Sequence, residues 1–514
     1  MVRGLTLSQL IRELGGRVEL ASPGGDDTVV TGVRQDSRAV MPGDLFVARR
    51  GASHDGATYV RDAISRGAAA VLVERGAAEV AQLGIPVIVA DDIGFALATA
   101  AAAVYGHPTF SLDVVGITGT NGKTTTTHLV RDAIDGAAGK ATCGIVGTIG
   151  NRFGDETFPT THTTPEADEL ARTMALMRKR GATTVAMEVS SIALELARVK
   201  AVRFRVAAFT NFTQDHLDFH GSMEAYGQAK ERLFVECSPG SACINVADPF
   251  GRQLAGKVRA PTVRVSSRAE VEADIVPESV HFAASGMDAT FRTPAGKVGL
   301  RSRLVGRHNV ENVAVALGIC CALDLDLQKA ADAIGRAAGV PGRLERCDET
   351  RDDLVVLVDY AHTPDALERV LEAIRDVTQG RIVCVFGCGG DRDPKKRGPM
   401  GDAVARGADV AVITSDNPRT ESPDAIARPI VDAVRARGLS ELSPLGFAGG
   451  ERGYLMELDR ARAIALAVRS AQPGDVVLLA GKGHEDYQIL GAQKIAFDDR
   501  VHARAALAAR RAAR

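Results

Sequence analysis

The sequence predicts an α/β protein of three domains, and three observations carry that prediction. A β-branched strand, a Gly-rich turn and a helix follow one another in DVVGITGTNGKTTTTHLV, from Asp113 to Val130. From about Ser111 to Ala338 strand and helix patterns alternate, the signature of a mostly parallel sheet. Between Val355 and Ile489 four more strands each end in a polar loop, which predicts a second doubly wound, Rossmann-like unit. At 514 residues the chain has room for three domains of roughly 150 residues each. Boundaries fall at the linker Gly106-His107-Pro108 and at the Gly/Pro hinge GVPGRLER, Gly339 to Arg346, giving regions 1–109, 110–338 and 339–514.

Bulk properties narrow the function classes. The chain has 62 Lys and Arg against 64 Asp and Glu, a net charge of −2, so no basic surplus points to nucleic acid or to a membrane surface. No apolar run reaches the ~18 residues that would span a bilayer, and no signal-peptide h-region opens the chain. Eight cysteines include no C-x-x-C pair, which fits reduced thiols in a cytoplasmic protein.

In chain order, the first region mixes short strands and helices, with turns at Pro23-Gly24-Gly25 and Pro42-Gly43. A strand from Leu45 to Ala48 is enclosed by polar loops carrying Asp36, Ser37, Arg38, Ser53, His54 and Asp55, and an Ala-rich helix runs from Phe95 to Tyr105. The second region opens on the strand Asp113 to Thr118. Gly119, Thr120, Asn121 and Gly122 then form a tight loop feeding a helix that starts at Lys123. Such a loop aims backbone N–H groups and the positive end of a helix dipole at one point. Lys123 adds a charge there and Thr124 a hydroxyl suited to a phosphate-bound Mg²⁺. In the general pattern G-x-x-x-x-G-K-[ST] the first Gly would fall on Ile117, so this is a shorter GTNGKT form of a nucleotide-phosphate cradle.

A buried strand from Thr183 to Met187 places Glu188 at its carboxyl end, the edge where ligands bind in open α/β sheets. After the strand Val206 to Phe209, Asp215, His216, Asp218 and His220 crowd a short span, and Lys230 follows in a helix, where it reads alone as an exposed lysine. In the third region the strands end in Asp359-Tyr360-Ala361-His362, in the loop GCGGDRD, in Asp416-Asn417-Pro418-Arg419 and in GKGHE, Gly481 to Glu485. The last dozen residues, rich in Ala and Arg, predict a terminal helix with a solvated tail.

Taken together, DSRAVMPGDLFVA, GITGTNGKTTT, THTTPEA, MEVSS, TNFTQDHLDFHG, the Lys230 helix, GRHNVENVAVA, PGRLE, DYAHTPDAL, GCGGDRD, DNPR and GKGHEDYQ resemble, in that order, the Mur ligases of peptidoglycan precursor synthesis. The resemblance covers nearly the whole chain. It implies a UDP-sugar-binding first domain, a central ATPase domain and a C-terminal amino-acid-binding domain. Within the family the chain is similar to ligases that extend UDP-N-acetylmuramoyl-L-alanyl-D-glutamate with a third residue. DNPR implies that this residue is meso-diaminopimelate, because relatives that add L-lysine generally lack its Arg, and a guanidinium can grip the extra carboxylate bidentately. The L-lysine-adding ligases and folylpolyglutamate synthetase are the alternative readings; the latter lacks the DSR-type domain and DNPR.

The resemblance also implies a site. The loop Gly119, Thr120, Asn121, Gly122, Lys123, Thr124 and Thr125 would hold the ATP phosphates, with Asn309, Arg343 and His362 near the adenine. Thr124 and Glu188 would share one Mg²⁺, and His216 with Lys230, as an N6-carboxylysine, a second; Lys123, Glu188, His216 and Lys230 are the expected catalytic set. Gln35, Ser37, Ala52, Ser53, His54, His162, Thr163, Thr164, Ser190, Leu196 and Arg198 fall on positions for the UDP-sugar dipeptide. Arg392, Asp416, Asn417, Pro418, Arg419, Gly481 and Glu485 fall on positions for diaminopimelate. The expected partners are small molecules only, bound by a monomer. The chain departs from the family where Ile192 replaces a His, Gln214 an Arg, and Leu196 a polar residue that contacts substrate.

Overall fold

The computed structural model describes residues 4–513 apart from 22–24, 52–54, 77–82, 159, 161, 284–285, 305 and 338. The turn at Pro23-Gly24, the boundary residue Ala338 and the site candidates Ala52, Ser53 and His54 therefore lie outside the described residues. The chain forms two compact units. One comprises Met1–Pro277, Phe291–Val298 and Glu311–Ile334; the other comprises Glu278–Thr290, Gly299–Val310 and Gly335–Arg514.

The first unit is built mainly on two sheets, and a two-stranded pair, Leu5–Thr6 with Val29–Val30, lies in it as well. Five strands lie in the spatial order Val18–Leu20, Val87–Ala90, Ala70–Glu74, Asp44–Ala48 and Gly32–Arg34, all parallel except the first. The Ala-rich helix spans Ile93–Val104, capped by Asp92, whose Oδ1 accepts from the Phe95 amide at 2.9 Å. Its small side chains allow close packing, and Leu97 and Ala101 share a core with Ala167 and Ala171 of the helix Ala167–Lys179. The first region and the greater part of the second fall in this one unit, while Glu278–Thr290 and Gly299–Val310 fall in the other.

The second sheet has eight strands in the order Glu156–Phe158, Asn151–Phe153, Cys143–Val146, Thr184–Glu188, Asp113–Thr118, Phe204–Phe209, Ser241–Asn245 and Thr262–Val265. The last six are parallel and the first two form an antiparallel hairpin at the edge. Burial on both faces explains why Asp113–Thr118 reads as a nearly continuous apolar run: Val114, Val115 and Ile117 are all fully buried. From that strand the chain winds outward one way to Cys143–Val146 and later the other way to Phe204–Phe209. This reversal opens a crevice beyond the strand's carboxyl end, where Gly119–Gly122 sits.

The second unit is built on six strands in the order Glu345–Arg346, Val355–Asp359, Val476–Ala480, Ile382–Phe386, Val410–Ile413 and Gly453–Met456. All but the two-residue edge strand run parallel, so the polar loops after Asp359, Phe386, Ile413 and Ala480 emerge at one edge, as expected. The chain's end differs from its expectation. The helix Asp499–Ala512 is tied down rather than trailing: Arg510 donates to both carboxylate oxygens of Asp353 at 2.9 and 2.8 Å, and Arg511 to Asp352 at 2.7 Å. At its other end Arg460 and Asp499, both fully buried, pair through two hydrogen bonds of 2.8 and 2.6 Å. Arg460 Nη2 also donates to the Ala480 carbonyl at 2.9 Å. That contact fixes the strand end from which Gly481 to Glu485 depart.

Removing Arg460 alone would strand the Asp499 carboxylate in the core. Arg460→Met is expected to lower unfolding free energy by about 3–5 kcal/mol in chemical denaturation, and Arg460→Met with Asp499→Leu to recover most of that loss.

Candidate active site

In the first unit the site is built on the loop after Asp113–Thr118. Gly119 has φ 148° and Gly122, which precedes the helix Lys123–Ala138, has φ 84°. A Cβ on Gly119 would run into the Thr210 hydroxyl and the backbone of Asn211, so only glycine fits. The next strand end holds the loop from that side. Asn121 N donates to Asn211 Oδ1 at 2.9 Å, Thr210 Oγ1 donates to the Asn121 carbonyl at 2.6 Å, and Asn211 Nδ2 donates to Glu311 at 2.6 Å.

Glu188 is paired in register with Ile117, which brings its carboxylate beside the loop. Thr124 Oγ1 donates to Glu188 Oε2 at 3.0 Å, and Thr148 donates to the same carboxylate through its amide at 2.8 Å and its hydroxyl at 3.0 Å. The Thr124–Glu188 oxygen separation matches that of adjacent ligands on an octahedral ion with bonds of about 2.1 Å, so the pair fits Mg²⁺. Among the described residues no three His, Cys, Asp or Glu side chains converge as a metal site, so a full coordination shell here needs phosphate oxygens or water.

Lys230 lies on the helix Met223–Val235 and is 1% exposed, not the surface lysine its helix suggests. Its Nζ donates to the Gly119 carbonyl at 2.9 Å and stands 4.3 Å from the centre of the Tyr226 ring. Lys123 Nζ donates to the same carbonyl at 2.9 Å and to that of Thr120 at 2.9 Å. Burial, reinforced by the charge on Lys123, holds the Lys230 pKa well below the ordinary lysine range. His216 has a left-handed backbone, φ 51°, and its Nε2 lies 3.5 Å from Asp215. Burial pushes its pKa down, with Lys123 and Lys230 acting in the same direction against Asp215. Lys123, Thr124, Glu188, His216 and Lys230 are therefore gathered about one loop.

Next to them stand several candidates for the UDP-sugar dipeptide. Thr163 Oγ1 and Thr148 Oγ1 are 3.1 Å apart, and Thr164 Oγ1 donates to the Glu188 carbonyl at 2.9 Å and accepts from Ser190 N at 3.0 Å. Ser190 caps the short helix Ser191–Glu195. Arg198 donates to the Thr164 carbonyl at 3.0 Å and pairs with Glu166 at 2.5 Å. Burial pushes the His162 pKa down, with the charge on Arg198 acting in the same direction. Leu196 contributes its carbonyl, which accepts from Arg49 at 3.3 Å. Gln35 donates to Asp168 at 3.1 Å, and Ser37 is buried. At two of the departures from the family, Ile192 is half-buried and Gln214 exposed.

In the second unit, loops from neighbouring strand ends are laced together. Gly390 N donates to the Asn417 carbonyl at 2.9 Å, Arg419 Nη1 to the Gly390 carbonyl at 2.8 Å, and Thr420 Oγ1 to Asp391 at 2.8 Å. Arg419 has φ 52° and makes no ion pair among the described residues; Nη1 bonds only carbonyls, and its Nε and Nη2 stay uncommitted. Arg392 is exposed, Pro418 is buried, and Gly481, φ 112°, turns the chain out of Val476–Ala480. Asn417 Nδ2 donates to Glu485 Oε2 at 3.0 Å, and Lys482, fully buried, bonds Asn417, Glu485 and Asp416.

Asn309, Arg343 and His362 also belong to this unit. The Arg343 guanidinium lies 4.9 Å over the Tyr360 ring, His362 Nδ1 is 2.8 Å from the Tyr360 carbonyl, and Asn309 is buried near the start of His308–Ala322. The Gly/Pro segment Gly339 to Arg346 is held by Asp359, whose two oxygens accept from Leu344 N at 2.7 Å and Ala361 N at 2.8 Å. Sequence reasoning missed Thr148, Tyr226, Asn211 and Lys482. For Lys482 alone there was a signal, its place between two glycines at a strand end.

Three family models match in succession: "Mur ligase family, catalytic domain" over residues 29–105, "Mur ligase middle domain" over 117–320, and "Mur ligase, glutamate ligase domain" over 342–483. The chain is similar to proteins named UDP-N-acetylmuramoyl-L-alanyl-D-glutamate–2,6-diaminopimelate ligase. The one from Geobacter metallireducens is 46% identical over 93% of this chain and 94% of its own. That from Gloeobacter violaceus is 44% identical over 98% of each. A solved structure under the same name is 31% identical, covers 99% of each chain and gives a TM-score of 0.69. A UDP-N-acetylmuramoylalanyl-D-glutamyl-2,6-diaminopimelate–D-alanyl-D-alanyl ligase from Acinetobacter baumannii, 18% identical over 93% of this chain and 96% of its own with a TM-score of 0.64, shares the fold.

Gly119→Ala is expected to leave the protein folded but to weaken nucleotide binding by about tenfold or more, roughly 1.4 kcal/mol, in a calorimetric titration. Unchanged affinity would mean that the loop's shape does not depend on this close approach.

Proposed function

The chain belongs to the Mur ligase family, and on that premise we propose that it joins meso-diaminopimelate to the D-glutamate of UDP-N-acetylmuramoyl-L-alanyl-D-glutamate, using ATP. The product is the UDP-linked tripeptide precursor of peptidoglycan. The γ-carboxylate of D-glutamate attacks the γ-phosphate of ATP, giving an acyl phosphate and ADP. The amine of the incoming amino acid then attacks the acyl carbon and phosphate leaves.

Such phosphoryl transfer asks the protein mainly for positioning and charge neutralisation. In this reading the amides of Gly119 to Thr125 cradle the β- and γ-phosphates, Lys123 brings a positive charge, and Thr124 with Glu188 would hold Mg²⁺. Bound there, the ion would offset phosphate charge. Thr148 keeps the Glu188 carboxylate turned toward Thr124 by two hydrogen bonds. Lys230, with its depressed pKa, has the free amine that CO₂ requires. N–C bond formation at that neutral amine gives a carbamate and releases one proton, placing beside His216 an anion that would suit a second metal. Asn309, Arg343 and His362 would receive the adenine; Gln35, Ser37, the segment Ala52 to His54, His162, Thr163, Thr164, Ser190, Leu196 and Arg198 the UDP-sugar dipeptide. The three functional domains are assigned to residues 1–109, 110–338 and 339–514, in a cytoplasmic monomer. Among the described residues no helix is long and apolar enough to cross a membrane.

The observation that carries diaminopimelate over L-lysine is the uncommitted edge of Arg419. Its Nε and Nη2 form a two-donor fork that suits a carboxylate, which lysine lacks at that end. Arg392, Asp416, Asn417, Pro418, Gly481 and Glu485 complete the proposed amino-acid site.

Phosphate release measured with ATP, the UDP-dipeptide and either amino acid is expected to be at least about 100-fold more efficient with meso-diaminopimelate, in kcat/KM, than with L-lysine. Equal efficiency would overturn the assignment. Arg419→Ala is expected to raise KM for diaminopimelate by about 100-fold, roughly 2–3 kcal/mol, and so to erode that preference. Lys230→Ala is expected to abolish turnover and to regain part of it when short carboxylic acids are added. Full activity with no response to such acids would remove the carbamate from the mechanism.

A further inference from the structure

Lys482 is the one fully buried lysine in the second unit's loop cluster, and its surroundings have a defined polarity. Its Nζ has three donors and three acceptors in reach: Asn417 Oδ1 at 3.2 Å, Glu485 Oε2 at 3.2 Å and Asp416 Oδ1 at 3.5 Å. Asn417 Oδ1 also accepts from the Ile489 amide at 3.0 Å. An atom shared by two obligate donors must be the amide oxygen, so the orientation of Asn417 is fixed and its Nδ2 is directed to Glu485 Oε2 at 3.0 Å. Glu485 Oε2 is thereby satisfied twice within the protein. Glu485 Oε1 receives only a 3.4 Å contact from the Tyr487 hydroxyl, and Asp416 Oδ2 has no partner among the described residues. One oxygen on each of two carboxylates, 17% and 13% exposed, is thus left with little or no hydrogen bonding among the described residues.

We infer that Lys482 is a positioning residue for amino-acid selection. By holding one oxygen each of Asp416 and Glu485 and fixing the Asn417 amide, it turns the remaining oxygens of the two carboxylates into a pocket for an ammonium group. The inference rests on the proposed function above, in which this site takes the distal end of diaminopimelate. That end carries an ammonium beside its carboxylate, and the pocket lies in the same laced loops as Arg419. Lys482 does not touch the substrate in this arrangement. Its charge reduces the two carboxylates to a net charge of −1, which one ammonium group offsets. Without Lys482 the two carboxylates would repel one another and Asn417 would lose one of the two donors that orient it.

The test compares Lys482→Met with the unaltered full-length enzyme on two substrates. One is meso-diaminopimelate; the other is 2-aminopimelate, which keeps the distal carboxylate and lacks the distal ammonium. The variant is expected to raise KM for diaminopimelate at least tenfold and KM for 2-aminopimelate less than threefold, with KM for ATP and for the UDP-dipeptide unchanged. Equal rises for both amino acids, or rises for all substrates, would mean a merely structural lysine and overturn the inference, as would no change at all. If the Met variant does not accumulate as folded protein, Lys482→Gln carries the same comparison. Failure of the unaltered enzyme to release phosphate in response to diaminopimelate would instead overturn the reaction itself, so the two failures are distinct.

Discussion

The arrangement turns on one carbonyl oxygen. Gly119 O accepts from Lys123 at 2.9 Å and from Lys230 at 2.9 Å, so the first residue of the phosphate loop and the helix Met223–Val235 meet at a single acceptor. Two ammonium groups on one neutral oxygen would repel strongly in a dry environment. The conflict is resolved by lowering the proton affinity of the more buried partner, Lys230. The rest of the site is arranged around this point. Thr210 and Asn211 grip the loop from the neighbouring strand end, Tyr226 roofs the Lys230 amine, and Glu188 approaches from the other side through Thr124.

Much of this was legible because it is local. A strand, a glycine turn and a Lys-Thr helix start are contiguous in sequence, and Glu188 follows from knowing where a buried strand ends. The strand bounds read from the sequence, Asp113 to Thr118, are those of the structure. What stayed hidden depends on partners far along the chain. Lys230 sits on an unremarkable helix, and only the fold shows it pressed against residue 119. Thr148 lies in an irregular turn with no pattern to mark it, yet it supplies two of the three hydrogen bonds on the Glu188 carboxylate.

The second unit shows the same division. DNPR and GKGHE announce themselves as polar loops after strands, but their mutual geometry does not. Asn417 is held by Lys482 and Ile489 from a segment some seventy positions later, and Arg419 pairs its backbone with Leu490. The residues of the two loops can be read from the sequence, while the sheet order that makes Val410–Ile413 and Val476–Ala480 flank Ile382–Phe386 decides that they meet. The terminal helix is as expected, and only its supposedly solvated tail differs, for a related reason. Ala and Arg in alternation look solvated until Asp352 and Asp353 are placed opposite them.

The buried pair of Arg460 and Asp499 has a consequence for how the chain is made. A ribosome delivers residues from the amino end, and domains fold as they emerge. The nucleotide loop, its flanking strands and Lys230 are all translated within the first half of the chain and can assemble early. Arg460 is neutralised in the core only once Asp499, 39 residues further on, has been made. The end of Val476–Ala480, from which Gly481, Lys482 and Glu485 depart, is therefore anchored well after the loop Gly119–Gly122 and Lys230 have emerged.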